Sequence, residues 1–122
     1  MNLLDSSGWL EYFADGPNAK KYIKPLNELE DLIVPTICLY EVFKVVLRER
    51  DEDSAIQAIA LMKQGKIIEL TSDIALQAAK NNLDLKLPMA DSIILAIAAK
   101  YEAIVWTQDA DFKGKPFVKY FS

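Results

Sequence analysis

The chain has 122 residues, and its 14 lysines and arginines against 18 aspartates and glutamates give it a formal net charge of −4. Because it contains one cysteine and no histidine, it has no serine–histidine or cysteine–histidine nucleophile pair, no histidine-ligated or thiolate zinc site and no intrachain disulfide. The groups that remain for catalysis are carboxylates, hydroxyls, lysines and any hard cation that they hold. The negative charge also argues against nucleic-acid binding through a bulk positive field.

Apolar periodicity predicts strands and helices that alternate along the chain. In chain order these are a strand at 2–4, helices at 7–14 and 18–30, a strand at 32–34, helices at 36–50 and 53–65, a strand at 66–70, helices at 72–83 and 88–102, and strands at 104–107 and 117–120. Pro25 predicts a kink in the second helix. Thr36 is the predicted N-cap of the third helix, and Asp53 or Ser54 that of the fourth.

The predicted strands are short and apolar throughout, and helices separate them. This pattern is typical of a parallel sheet that helices cover on both faces. We therefore predict an α/β fold in which residues 1–122 form one three-layer α/β/α domain around a parallel sheet of four to five strands.

The sequence shows neither an export signal nor a membrane span. The first residues lack a basic segment and reach an acid at Asp5, which is unlike a signal peptide. The longest apolar stretch, 87–99, contains Asp91 and is shorter than the roughly 20 residues that a membrane span needs. With a single cysteine, the expected location is the cytoplasm.

Carboxylates follow several of the predicted strands. Asp5 comes directly after the first strand, Glu41 lies in the first turns of the helix after the second, and Asp109 and Asp111 follow the fourth. Asp91 lies near the start of a helix, where the dipole favours anions. Because ligands of open parallel sheets bind outside the carboxyl ends of the strands, we expect these acids at one edge.

Each acid taken alone has a simpler interpretation. Asp5 suits a helix N-cap, and a solvated stripe with i,i+3 pairing accounts equally well for Glu41. Asp109 and Asp111 suit turn chemistry. Asp91 is harder to explain in this way, because its helix is apolar almost all round and a buried carboxylate costs several kcal/mol unless something compensates it.

Taken together, the acids predict a metal site. Three or four carboxylates within a few ångströms cannot all stay ionised without a positive partner. With oxygen ligands only, such a site favours Mg²⁺ or Mn²⁺ over zinc. These ions lower the pKa of a bound water and stabilise charge on a phosphoryl group, which suits the hydrolysis of phosphodiesters.

The motifs that carry these acids also resemble a known family. These are residues 3–7 (LLDSS), Glu41 in the helix after Pro35-Thr36, residues 90–96 (ADSIILA) and residues 107–112 (TQDADF). In this order, over essentially the whole chain, they resemble a PIN domain, and in particular the VapC toxins of VapBC toxin–antitoxin pairs.

The resemblance implies an Mg²⁺- or Mn²⁺-dependent endoribonuclease in which a metal-activated water attacks the phosphorus and leaves a 5′-phosphate and a 3′-hydroxyl. It also implies a homodimer and a cognate VapB-like antitoxin whose C-terminal segment fills the acidic groove. It assigns the catalytic and metal-binding roles to Asp5, Glu41, Asp91 and Asp109, with Asp5 and Asp91 as direct ligands and Ser6, Thr107 and Asp111 in support.

Two alternatives stay open on the sequence. Aspartyl-phosphate transfer, as in receiver domains or haloacid-dehalogenase-like phosphatases, also places acids at strand ends. The phosphatases have Asp-x-Asp directly after the first strand, whereas Ser6 and Ser7 follow Asp5 here, and a receiver needs an acidic pair there. The second alternative is a non-catalytic PIN-like interaction module, against which the full set of acids argues.

Overall fold

Five strands and six α-helices follow one another in the computed structural model, which describes residues 1–122. They are β1 (Asn2–Leu4), α1 (Ser6–Phe13), α2 (Ile23–Leu26), β2 (Leu32–Pro35), α3 (Thr36–Glu49), α4 (Glu52–Met62), β3 (Lys66–Ile68), α5 (Ser72–Leu85), α6 (Met89–Lys100), β4 (Ile104–Thr107) and β5 (Val118–Tyr120). Short 3₁₀ turns lie at Ala19–Tyr22, Leu29–Asp31 and Ala110–Phe112.

All five strands form one parallel sheet in the order β3-β2-β1-β4-β5. Leu3 in the central strand is in register with Ile33 of β2 and with Val105 of β4. Because neighbouring strands are parallel, each crossover carries a helix over a face of the sheet, and all carboxyl ends meet at one edge. The predicted three-layer α/β/α fold is therefore confirmed.

The core lies on both sides of the central strands. Leu3, Leu4, Ile33 and Val105 have no exposed surface, because helices cover both faces of the sheet. Helix α6 is the most deeply placed, since all eight residues from 91 to 98 are buried. It therefore carries Asp91 and Ser92 into the interior near the carboxyl edge of the sheet.

The prediction of one amphipathic helix over 18–30 is wrong. The structure has two 3₁₀ turns there, with the single turn of α2 between them. Pro25 is the reason, because a proline is accepted in the first turn of a helix but not in its interior. Upstream, the backbone N–H of Asn18 donates to Glu11 Oε2 at 2.8 Å, which holds the chain in a turn.

Two predicted N-caps are also wrong. Thr36 is the first residue of α3 and Pro35 occupies the cap position, with no side-chain cap bond. Helix α4 is capped by Asp51, whose carboxylate accepts from Ser54 N at 2.7 Å, and not by Asp53 or Ser54. None of the helices has the length and apolar character that crossing a membrane requires.

Candidate active site

Asp5 lies at the carboxyl end of β1 and also caps α1. Its Oδ1 accepts from Ser7 Oγ at 2.7 Å and from Gly8 N at 3.0 Å, and its Oδ2 accepts from Thr107 Oγ1 at 2.7 Å. The N-cap interpretation and the site interpretation of this residue are thus compatible. Burial raises the pKa of Asp5 from 3.8 to about 6, although these three donors favour the ionised form.

The hydroxyls of Ser7 and Thr107 link the exit of β4 to Asp5. Because both donate to the Asp5 carboxylate, their oxygens are free to accept from the backbone. Ser7 Oγ accepts from Gln108 N at 3.3 Å, and Thr107 Oγ1 accepts from Asp109 N at 2.9 Å. The segment that carries Asp109 is therefore held directly beside Asp5.

Three aspartates from two segments form a close group. Carboxylate oxygens of Asp91, Asp109 and Asp111 lie within 4.8 Å of one another. Asp91 is in the first turn of α6, whereas Asp109 caps the 3₁₀ turn after β4 and accepts from Asp111 N at 2.9 Å. The turn chemistry expected for Asp109 and Asp111 is therefore present, and it directs both acids toward Asp91.

The pKa of Asp91 departs far from its ordinary value. Burial raises its pKa from 3.8 to about 8, with repulsion from Asp109, Asp5 and Asp111 acting in the same direction. Only 8% of the residue is exposed, so water screens this repulsion weakly. The contribution of Asp5 to this pKa shows that it belongs to the same electrostatic cluster.

Glu41 is brought to the cluster by Ser6. Ser6 Oγ, in the first turn of α1, donates to Glu41 Oε1 at 2.6 Å. Pairing along the helix with Lys44, the simpler interpretation, is not formed. Ser6 and Glu41 thus join α1 to α3 beside Asp5.

Cys38 lies beneath these acids. Its Sγ donates weakly to the carbonyl of Leu4, at 3.8 Å. Burial, with added repulsion from the nearby charges of Asp5, Glu41 and Asp91, raises the pKa of the Cys38 thiol well above its ordinary value. The thiol therefore stays protonated and offers no ligand, so the donor set consists of oxygen atoms.

No cation of the protein neutralises the five acids. The structure contains two ion pairs, Arg48–Glu49 and Lys100–Asp73, and both are on the surface away from the carboxyl edge. Several carboxylates with oxygen donors only and no basic partner fit Mg²⁺ or Mn²⁺. The close group contains Asp91, Asp109 and Asp111, whereas Asp5 and Glu41 lie outside it, and its oxygen-only donors suit a hard divalent cation.

Some features of the site were not anticipated from the sequence. Ser7, not Ser6, contacts Asp5, and the Asp-x-Ser spacing of an Asx-type turn is the signal that indicates it. Gly8 is needed too, because a Cβ there would lie 2.7 Å from Cε1 of Tyr22. Tyr22 in turn donates through its hydroxyl to Gln108 Oε1 at 3.2 Å, next to the acids.

Comparison with known proteins gives a consistent result. The family model described as the PIN domain matches residues 3–118. No curated protein sequence matches significantly. A toxin–antitoxin complex from Klebsiella pneumoniae superposes with a TM-score of 0.81 at 25% identity, over 98% of this chain and 96% of that chain.

Two further solved structures share the fold. Mycobacterium tuberculosis VapC20, described as a toxin that cleaves the sarcin–ricin loop, superposes with a TM-score of 0.82 at 18% identity over the whole of both chains. VapBC2 from Rickettsia felis, bound to a DNA fragment from its promoter, gives a TM-score of 0.78 at 13% identity over 99% of this chain and 98% of that chain.

Proposed function

Because the chain belongs to the PIN domain family, we propose that it is a divalent-metal-dependent endoribonuclease and the toxin of a type II toxin–antitoxin pair. One observation carries the proposal. Carboxylate oxygens of Asp91, Asp109 and Asp111 lie within 4.8 Å of one another, Asp5 adds to the repulsion on Asp91, and no lysine or arginine neutralises these acids. Membership of this family sets aside the receiver and phosphatase alternatives.

The acids would hold Mg²⁺ or Mn²⁺ between them. The ligands that we propose are Asp5, Glu41, Asp91 and Asp109, with Asp111 close enough to Asp91 and Asp109 to take part. When bound, the cation lowers the pKa of a water and offsets negative charge on the phosphoryl group. These two effects are what hydrolysis of an RNA phosphodiester requires.

The residues around the acids orient them for this role. Ser7 and Gly8 donate to Oδ1 of Asp5 and Thr107 donates to Oδ2, which leaves a lone pair of Oδ2 free for a cation. Ser6 fixes the direction of Glu41 in the same way. Burial raises the pKa of Asp91 to about 8, so Asp91 retains a proton at neutral pH in the metal-free protein and releases it when positive charge enters the cluster.

The proposal includes partners and a compartment. RNA is the substrate, a VapB-like antitoxin is the inhibitor, and residues 1–122 act as one PIN domain that forms a homodimer in the cytoplasm. Support comes from the similar structures, which include toxin–antitoxin complexes from Klebsiella pneumoniae and Rickettsia felis.

A cleavage assay tests the activity. Purified protein is incubated with total RNA and Mn²⁺, and the cut ends are mapped. We expect internal cuts with 5′-phosphate ends, lost in EDTA and in Asp91→Asn but retained in Asp53→Asn, which removes the same charge from exposed helix α4. A wild-type protein that leaves RNA intact would instead support a non-catalytic PIN-like module.

A further inference from the structure

Positive charge is concentrated in two segments of this acidic chain. Residues 17–26 and 112–122 contain six of its 14 basic residues and none of its 18 acids. The structure has no ion pair in either segment, so all six ammonium groups lack a carboxylate partner. The six are Lys20, Lys21, Lys24, Lys113, Lys115 and Lys119, and all except Lys115 are exposed.

The two segments meet to form one surface. The ring of Tyr22 contacts that of Phe121 edge-on, with the ring centroids 5.5 Å apart. Lys21 Nζ lies 5.4 Å from the centroid of Phe121, and Lys119 Nζ lies 6.0 Å from the same centroid. We call this the lysine–aromatic surface and define it by Lys21, Lys119 and Phe121, with Trp106 beneath Lys119.

Aromatic rings hold the ammonium groups of this surface in place. Besides its contact with Phe121, Lys119 Nζ lies 4.3 Å from the centroid of Trp106. Attraction between a cation and a ring face restricts a flexible lysine without neutralising its charge. The surface therefore presents ordered positive charges that are available to an anionic partner.

The lysine–aromatic surface is continuous with the acids. Because β5 is parallel to β4, both strands end at the carboxyl edge. Phe121 N donates to the carbonyl of Thr107 at 2.9 Å, and the Thr107 hydroxyl donates to Asp5. The end of β5 that carries Phe121 therefore lies directly beside the strand end that contacts Asp5.

We propose that the lysine–aromatic surface binds the backbone of single-stranded RNA on one side of the bond that is cut, an inference that rests on the proposed nuclease function. The acid cluster repels phosphates, so affinity for RNA has to come from cations beside it. Lysines interleaved with aromatic rings along an open edge are typical of surfaces that bind single strands.

A binding assay tests this surface separately from catalysis. The probe is a fluorescent, unstructured RNA of about 20 nucleotides. It is titrated with protein in the presence of Mg²⁺, binding is followed by fluorescence anisotropy, and the titration is repeated at salt concentrations from about 0.05 to 0.3 M. All variants are made in the Asp91→Asn background, so that cleavage does not interfere. The test pair is Lys21→Gln/Lys119→Gln. The control pair is Lys63→Gln/Lys80→Gln, in which Lys63 follows α4, Lys80 lies on α5 and both are exposed.

We expect the test pair to raise Kd roughly tenfold at about 0.1 M salt and to lower the salt slope by about 1.4, because each lost phosphate contact removes about 0.7 for a single strand. Lys21→Arg/Lys119→Arg retains both charges and should bind like the background protein. The control pair should change Kd less than about twofold. Melting curves of all three variants check that the fold is intact.

Other outcomes overturn the inference. An unchanged Kd in the test pair, or an equal loss in both pairs, rejects a specific role of this surface. Poly-glutamate is titrated as a second probe. If the test pair loses binding to poly-glutamate but retains binding to RNA, the surface binds an acidic protein segment and not RNA. Cleavage of total RNA by the unmodified protein is scored independently: cleavage without lysine-dependent binding rejects only the surface, whereas lysine-dependent binding without cleavage rejects only the nuclease.

Discussion

The substitution Asp91→Asn should make the metal-free protein more stable, although it abolishes activity. A residue placed for stability alone would show the opposite effect. Burial and three neighbouring carboxylates raise the pKa of Asp91 from its ordinary value of 3.8 to about 8 in the folded protein. A carboxyl group with a raised folded pKa favours folding below its unfolded pKa and loses that contribution as the pH rises through its folded pKa.

The size of the effect follows from the same values. One pKa unit corresponds to about 1.4 kcal/mol, so holding Asp91 in the fold at about pH 7 rather than about pH 4 costs up to roughly 4 kcal/mol. Water and monovalent cations relax the cluster and reduce this cost. We therefore expect a net gain of roughly 2 kcal/mol, or about 6–10 °C in Tm for a chain of this length.

Thermal unfolding in EDTA, followed by circular dichroism, measures this gain. At about pH 7.5 Asp91→Asn should melt above the wild type, and at about pH 4 the two should melt together because Asp91 is then protonated. Asp53→Asn removes the same charge from an exposed position and should stay within about 0.5 kcal/mol of the wild type at both pH values. Saturating Mn²⁺ should raise the Tm of the wild type but not that of Asp91→Asn.

The reasoning is refuted if Asp91→Asn melts at or below the wild type in EDTA near neutral pH. The same holds if its gain persists at about pH 4, because a benefit that is independent of ionisation would come from packing rather than from relief of charge repulsion.

Three further predictions use the same site. Metal-free wild-type protein should lose stability from about pH 4 to about pH 8, since the folded pKa values of Asp5 and Asp91 are raised to about 6 and about 8; a Tm that is flat or rising over this range in EDTA would contradict it. Thr107→Val removes a donor from buried Asp5 and should cost about 1–3 kcal/mol in urea unfolding, with lower activity; an unchanged midpoint would show that this bond contributes little. Ser6→Ala removes the hydrogen bond to Glu41 at a partly buried position and should cost less than about 1 kcal/mol of stability. It should nevertheless raise the Mn²⁺ concentration needed for half-maximal cleavage, and an identical Mn²⁺ dependence would argue against a role of Glu41 in metal binding.

The elements that could be predicted from the sequence are those whose signal is local. Apolar strands such as Leu32–Pro35 and the stretch 91–98 of the helix that carries Asp91 are buried throughout, so hydrophobicity alone indicates them. The sequence predicts one helix over 18–30 because the apolar residues there recur at helical spacing, and the kink expected at Pro25 underestimates the effect of this proline. Glu11 holds the backbone of Asn18, and Pro25 then restarts the helix.

For the candidate site, the sequence indicates which acids converge but not their detailed arrangement. The parallel topology places Asp5 after β1 and Asp109 after β4 at one edge, because these two strands are neighbours in the sheet. The close approach of Asp111 to Asp91 depends on the 3₁₀ turn after β4, and the bond of Ser6 to Glu41 depends on how α1 packs against α3. Neither contact leaves a periodic signal in the chain.

Calorimetric titration of the metal-free protein with Mn²⁺ near neutral pH tests most directly whether the gathered carboxylates form a cation site. Saturable binding is expected, with release of protons seen as a heat that changes with the ionisation enthalpy of the buffer, because Asp91 is partly protonated before the cation arrives. Asp91→Asn should abolish both the binding and the proton release. A titration without saturable heat, or one that Asp91→Asn leaves unaltered, would contradict the account.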